Sequence, residues 1–195
     1  MGNNPFLERF IARAMALPHP RVLELGTRQS VEGRSTMHKE WIPTAGSWIG
    51  VDFEPGADVD VIADVHRLSQ IVGAESADCI IHCSLMEHIR YPQLAAHEIM
   101  KTLKVGGLMF CQTHFAWPLH GFPQDFHRFT REALESLFPP GMGMQCESMY
   151  EFPCSICSER EPATSLGTAY LNSCIWGTKV ARTPDQWVYD LPKMR

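Results

Sequence analysis

Short apolar runs of strand length recur along this chain, with stretches of helical spacing between them. The runs are VLELG (Val22 to Gly26), SWIGVDF (Ser47 to Phe53), DVDVIAD (Asp58 to Asp64), ADCIIHCS (Ala77 to Ser84) and LMFCQTH (Leu108 to His114). Apolar residues fall at helical intervals in Pro5 to Ala16 (Phe6, Phe10, Ile11, Ala14), in Leu68 to Val72 and in Tyr91 to Leu103. The polar stretch between the first two strands is also predicted to be helical. Pro18 and Pro20 end the first helix, and Gly106–Gly107 predicts a turn before the fifth strand. Thr130 to Phe138 reads as a helix capped by its threonine, with Glu132 in the first turn where a carboxylate suits the helix dipole.

Strands that alternate with helices predict a mostly parallel sheet covered on both faces. The last two strands, Met144 to Phe152 and Leu171 to Val180, have no long helix between them, so they predict an antiparallel pair. The expected fold class is α/β: a single doubly wound, mostly parallel sheet of seven strands with an antiparallel edge hairpin. An N-terminal helix at 1–20, a main domain at 21–182 and a C-terminal tail at 183–195 are the expected divisions.

Bulk properties exclude several classes of function. A net charge of −5 over 195 residues offers no basic stripe for a nucleic-acid backbone. The opening MGNNPFLERF carries charge early and lacks the apolar core of a signal peptide. Phe6 stands where N-myristoylation needs Ser or Thr, and no window is long and apolar enough to span a bilayer. Seven cysteines are an odd number without disulfide-framework spacing, so reduced thiols and a cytoplasmic location are expected.

An acidic residue closes the first three strands in turn or stands one residue from their ends. In an open parallel sheet, ligands bind beyond the carboxyl ends of the strands. Glu24-x-Gly26 ends the first strand, and glycine there lets backbone approach a ligand. Asp52 ends the second, where a carboxylate can accept from a ribose diol or cap the Glu-Pro-Gly turn that follows. Phe53 is placed to pack on a base. Asp64 ends the third strand, placed to accept from an exocyclic amine, with Val65 beneath.

Together these residues resemble the class I S-adenosylmethionine-dependent methyltransferases of the type 11 kind. VLELG is similar to the family's first motif, GVD (Gly50 to Asp52) to its ribose motif and ADV (Ala63 to Val65) to its adenine stretch. SLMEHI (Ser84 to Ile89) resembles the exit from the fourth strand, and LKVGGLMF (Leu103 to Phe110) the turn before the fifth, with Val105 replacing the usual Pro. HFAWPLHGFPQDFHRFT (His114 to Thr130) resembles a segment of small bacterial members. The resemblance implies S-adenosylmethionine as cofactor, S-adenosylhomocysteine as product, and cofactor contacts from Glu24, Gly26, Thr27, Arg28, Asp52, Phe53, Asp64, Val65 and Ser84. One departure is marked: Thr27-Arg28-Gln29-Ser30 stands where the family continues with glycines, and Arg28 has the forked donors to reach the methionine carboxylate instead.

Methyl transfer needs alignment above all, and a hydroxyl or amine acceptor also needs a base. His120, His114 and His88 are the candidates, in that order, with Asp125 near enough to orient His120. The alternative for His120 is a loop residue bonded to backbone. Trp117, Phe122 and Phe126 read either as an acceptor pocket or as loop packing, and Asp125–Arg128 as a loop-shaping ion pair. Glu87–His88 reads as a helix-start carboxylate with a packed histidine. No metal is expected, because Ser84 and Leu85 stand where an additional acid would be needed. Cys154-x-x-Cys157 lacks a second ligand pair for zinc.

The expected activity is methyl transfer to an O or N atom of a small molecule or glycan-type acceptor. The alternative is a catalytically impaired binding or scaffold protein that keeps the fold. A homodimer or a partner subunit that completes the site is compatible with either. A nicotinamide-dependent oxidoreductase is disfavoured, since no G-x-G-x-x-G follows the first strand.

Overall fold

The computed structural model describes residues 4–121, 124–157, 160 and 165–189. Helix α1 spans Pro5–Met15, opened by Asn4, whose side chain accepts from the backbone N–H of Phe6 and Leu7. Strands follow at Arg21–Leu25 (β1), Ser47–Asp52 (β2), Val61–Ile62 (β3), Ala77–Cys83 (β4) and Leu103–His114 (β5). Helices α2 (Leu68–Val72), α3 (Pro92–Thr102) and α4 (Arg131–Leu137) alternate with them, and β6 (Met144–Cys157) and β7 (Ser165–Lys179) close the chain. The strand order is β3-β2-β1-β4-β5-β7-β6. The first five strands are parallel, and β7 runs antiparallel to both β5 and β6. The sheet is therefore the mixed, seven-stranded, α/β arrangement expected, with its antiparallel pair at one edge.

Successive side chains of a strand point to opposite faces, and each face acquires its own cover. Val22, Cys79, Ile81, Phe110 and Trp176 face α1 and Trp41, forming a cluster in which Phe10 lies 5.1 Å from the Phe110 ring. Leu23, Leu25, Ile80, Met109, Cys111 and Ile175 face the other way, against Leu68 of α2, Ile99 of α3 and Leu134 and Leu137 of α4. The N-terminal helix thus covers one face of the sheet.

Four sequence expectations are corrected. The stretch between β1 and β2 holds no α-helix, only a 3₁₀ turn at Lys39–Trp41. Residues 29–38 supply no apolar stripe to bury, and α1 with Trp41 already covers the adjoining sheet face. Strand β3 is only two residues, Val61–Ile62. The Gly106–Gly107 pair does not end a strand: pairing with β4 jumps from Ala77↔Leu103 to Cys79↔Leu108, so the glycines form a bulge within β5, Gly106 at φ +88°. The final hairpin also runs longer than expected. The last pair between β5 and β7 is His114↔Asn172, so the earlier part of β7 and its partner β6 continue past the carboxyl end of β5. Pro153 is tolerated in β6 because that strand is the sheet's outer edge.

After β7 the chain stays against the body. Thr183 is buried, the Pro184 carbonyl lies 2.8 Å from His97 Nε2, and Trp187 packs on the core. Residues 190–195 lie outside the described residues.

Candidate functional site

The carboxyl ends of β1, β2 and β4 meet around Gly26 and the chain that follows it. Gly26 has φ +77°, a conformation L side chains rarely adopt, and its N–H donates to the Val51 carbonyl at 2.8 Å. A Cβ at Gly50 would lie 2.0 Å from the Asp58 carbonyl oxygen. Glycine at 50 therefore permits the close approach through which the buried Thr27 hydroxyl donates to that carbonyl at 2.7 Å. These contacts tie the loops after β1 and β2 together where the family's glycines are missing.

Asp52 stands at the end of β2. Its Oδ2 accepts from the Arg28 N–H at 3.1 Å and its Oδ1 from the Glu54 N–H at 3.2 Å. A carboxylate oxygen has two acceptor sites, so each keeps one for a further donor. The Arg28 guanidinium pairs with Glu54 at 3.2 Å, turned to the loop after β2. Glu24 is buried and already accepts from the His38 N–H, from His38 Nδ1 at 2.6 Å and from Trp48 Nε1 at 2.8 Å. It organises the chain after β1 from beneath. Asp64 Oδ1 accepts from the His66 N–H at 3.0 Å and lies 2.7 Å from His66 Nδ1, which holds the turn at Val65–Arg67 over buried Val65. Phe53 is 48% exposed at the same edge. Ser84, after β4, has φ +51° and donates its N–H to the Gln112 carbonyl at 2.9 Å.

A second group gathers where β4 and β5 end. Glu87 is wholly buried, in a 3₁₀ turn at Met86–His88 and not at a helix start as expected; α3 begins only at Pro92. Thr113 Oγ1 donates to Glu87 Oε2 at 2.7 Å, and His114 Nε2 lies 3.1 Å from Glu87 Oε1. The Glu87 backbone carbonyl accepts from the N–H of Phe126 and His127, drawing the loop after β5 back over the cluster. His114 lies directly opposite Asn172, and its Nδ1 is 3.1 Å from Asn172 Oδ1. Burial lowers the His114 pKa, a shift that the Glu87 charge and the Asn172 contact partly oppose.

His120 joins this group from the loop. Its ring lies 5.1 Å from that of His114 and 4.8 Å from that of His88. Its Nδ1 faces Asp125 Oδ2 at 3.4 Å and the Pro118 carbonyl at 3.3 Å. His88 Nδ1 lies 2.7 Å from the Gln124 carbonyl oxygen. Asp125 is bound through both oxygens by Arg128, whose hydrogen bonds hold that carboxyl far below the usual range. Arg128 also donates to the Trp117 and Pro118 carbonyls, and the Trp117 ring stacks on His114 at 4.6 Å. The three predicted histidines, Asp125, Arg128 and Trp117 thus come together. Phe126 lies under the Arg90 guanidinium, and Phe122 lies outside the described residues. Glu87 as a partner of His114, with Thr113 and Asn172, was not foreseen as part of this group.

Cys154 and Cys157 both lie within β6, where a rise of about 3.3 Å per residue sets their backbones roughly 10 Å apart. Two surface hollows, of 430 and 260 Å³, lie elsewhere, between α1 and Gly106 and between α4 and Trp187.

No protein-family model and no curated protein sequence matches the chain. Solved structures do. An S-adenosylmethionine-dependent methyltransferase from Archaeoglobus fulgidus superposes with a TM-score of 0.63 at 14% identity, over 89% of this chain and 91% of the other. The YcgJ protein from Bacillus subtilis gives 0.58 at 14% identity, over 93% and 100%. The fold is that of the class I methyltransferases. A third match, the 1,6-didemethyltoxoflavin-N1-methyltransferase from Burkholderia thailandensis, was solved with bound 1,6-didemethyltoxoflavin and S-adenosylhomocysteine; it gives 0.56 at 13% identity, over 89% and 80%. Among the described residues of this methyltransferase-like chain, no helix is long and apolar enough to cross a membrane.

Proposed function

We propose that this protein is an S-adenosylmethionine-dependent methyltransferase that acts on an O or N atom of a small molecule or glycan-type acceptor. The observation that carries the reading is Asp52, a carboxylate at the end of β2 with one acceptor site left on each oxygen, beside a glycine at φ +77° that follows β1. The residues fit the nucleoside part of the cofactor: Asp52 for the ribose hydroxyls, Phe53 and Val65 for the adenine faces, Asp64 for its amine, with Gly26, Thr27 and Ser84 shaping the backbone between. For the methionine end, Arg28 would have to exchange its Glu54 pairing for the cofactor carboxylate, while Glu24 acts by holding His38 and Trp48. When bound, the cofactor supplies an activated methyl group on its sulfonium.

The acceptor belongs at the histidine group, between the end of β5 and the loop carrying Trp117, Asp125 and Arg128. His120 is the leading candidate to take the acceptor's proton, being the more exposed and having Asp125 at its Nδ1. His114 is second and His88 third. The edge hairpin that runs past β5, or a second subunit, completes the wall on the acceptor side. A cytoplasmic location fits the unpaired cysteines among the described residues.

The test is calorimetric titration with S-adenosylhomocysteine, repeated on Asp52→Ala. Micromolar binding weakened tenfold or more, about 1.4 kcal/mol, is the expected result; no binding in the parent protein rules the reading out. One observation favours the alternative of a catalytically impaired scaffold. No α-helix follows β1, so the helix N-terminus that commonly faces a ligand at this position is missing.

A further inference from the structure

The group at the ends of β4 and β5 has the composition of a metal centre. Glu87, His114 and His120 each offer one ligand atom, and these atoms all lie within 4.8 Å of one another. Glu87 Oε1 is buried and has no hydrogen-bond partner among the described residues. It lies 3.1 Å from His114 Nε2. Two ligands that share an ion at bonds of about 2.1 Å sit roughly 3.0 to 3.4 Å apart.

The remaining atoms of these side chains are spoken for. Thr113 donates to the other oxygen of Glu87, at 2.7 Å. Asn172 holds His114 Nδ1 at 3.1 Å, and Asp125 and Pro118 face His120 Nδ1. With Nδ1 protonated toward Asn172 Oδ1, His114 turns an Nε2 lone pair toward Glu87. A lone pair at 3.1 Å from a buried carboxylate oxygen repels it unless a cation or a proton stands between them. Metal-binding histidines and carboxylates are characteristically oriented by such outer partners. His88 repeats the pattern, with Nδ1 on the Gln124 carbonyl and Nε2 at 4.0 Å from Glu87 Oε1. Arg128, a cation close enough to act on Glu87, is committed to Asp125.

We infer that Glu87, His114 and His120 form a binding site for a divalent first-row transition ion, with His88 at its margin. Two imidazoles and a carboxylate suit zinc, iron, cobalt or nickel, and leave coordination positions open. The sequence offered no acid at Ser84 or Leu85 for such a site. The structure supplies two histidines from β5 and its loop in that place. The catalytic consequence rests on the methyltransferase reading: an acceptor hydroxyl on the ion would pass its proton to solvent water more readily, which relieves the histidines of the role of base. Ion binding itself does not depend on that reading.

The experiment is calorimetric titration of the full, metal-stripped chain with Zn²⁺, and with Co²⁺ followed by visible absorption, without cofactor. One ion per chain at micromolar affinity is expected, with cobalt bands free of thiolate charge transfer. His120→Ala, on an accessible loop, and His114→Ala should each weaken binding about tenfold or more, while Cys154→Ser/Cys157→Ser leaves it unchanged. Circular dichroism checks that each variant is folded. Absence of binding, affinity unchanged in both histidine variants, or a thiolate band lost in the cysteine variant overturns the proposal. Failure of S-adenosylhomocysteine to bind would overturn the cofactor reading and leave this one standing.

Discussion

His82 gives the fold a sensitivity to acid that can be calculated and isolated. It lies in β4, wholly buried, with neither ring nitrogen partnered among the described residues and Phe138 at 6.3 Å. Burial pushes its pKa from the ordinary 6.5 down to about 3. The folded state therefore binds fewer protons than the unfolded chain across that window. Stability is fully present above 6.5 and is lost as the pH falls toward 3. Each pH unit removes about 1.4 kcal/mol, which gives roughly 2.7 kcal/mol by pH 4.5 and about 5 kcal/mol if the whole interval is traversed. A loss of that size is a large fraction of a domain's net stability. The assay is urea unfolding at pH 7.0, 5.5 and 4.5 for the parent and His82→Leu. Leucine fills a similar volume and buries no unsatisfied nitrogen, so at pH 7.0 the variant should be no less stable. The stability gap between the two proteins should then widen by about 2 kcal/mol or more by pH 4.5 at unchanged m-value. Curves that stay parallel across the three pH values would refute the reasoning.

Other perturbations test separate parts of the structure. Phe10→Ala empties the centre of the cluster between α1 and the sheet and should cost about 3 to 5 kcal/mol in thermal or urea unfolding; a loss below about 1 kcal/mol would mean α1 is dispensable. Glu98 is buried, and although burial alone would raise its pKa, bonds from Ser69 and the Lys101 ammonium outweigh that and hold it below its ordinary 4.5. Its stabilisation is present above 4.5 and disappears as the pH falls below that value, so Glu98→Gln should flatten the acid limb of the stability curve measured by circular dichroism. Gly26→Ala forces an alanine to φ +77° against Leu85 and should cost about 1 to 2 kcal/mol while weakening S-adenosylhomocysteine binding; unaltered affinity in a folded variant argues against a backbone approach there. Arg128→Lys loses the paired donors that grip Asp125 and two loop carbonyls, and should speed proteolytic cleavage in the loop after β5 with little change in the unfolding midpoint.

The parts of the fold that were legible in the sequence are those whose burial is periodic. VLEL, ADCIIHC and LMFCQTH are buried almost throughout, as central parallel strands must be, and α1 carries Phe6, Phe10 and Ala14 on one face. The errors arose where no period exists to read. The stretch after β1 is polar, and the helix expected there does not form; in the structure Glu24 organises it from below through His38 and Trp48. The bulge at Gly106–Gly107 looked like a turn because a glycine pair serves either purpose, and only the pairing of Cys79 with Leu108 decides between them. Strands β6 and β7 extend further than their apolar content because backbone pairing continues beyond the core.

The candidate site divides along the same line. Asp52, Asp64 and Gly26 were legible because each closes or follows a recognisable strand, so topology alone delivers them to one edge. The histidine group depends on contacts between distant segments. Asn172 reaches His114 only because β7 pairs with β5 in one register, and a shift of one residue would turn its side chain to the opposite face. Glu87 looked like a helix-start carboxylate, an exposed and common role. The backbone fold of Met86–His88 instead buries it completely, with Thr113 on one oxygen and His114 beside the other. A carboxylate is rarely placed at such a position without a compensating charge, because desolvation costs several kcal/mol. The described neighbours offer three histidines for that purpose and one arginine already bound elsewhere. Burial of His114 works against its carrying the charge itself. What balances Glu87, a proton shared with His114 or an ion shared with His114 and His120, therefore decides whether this edge of the sheet presents an acceptor with a base or with a metal.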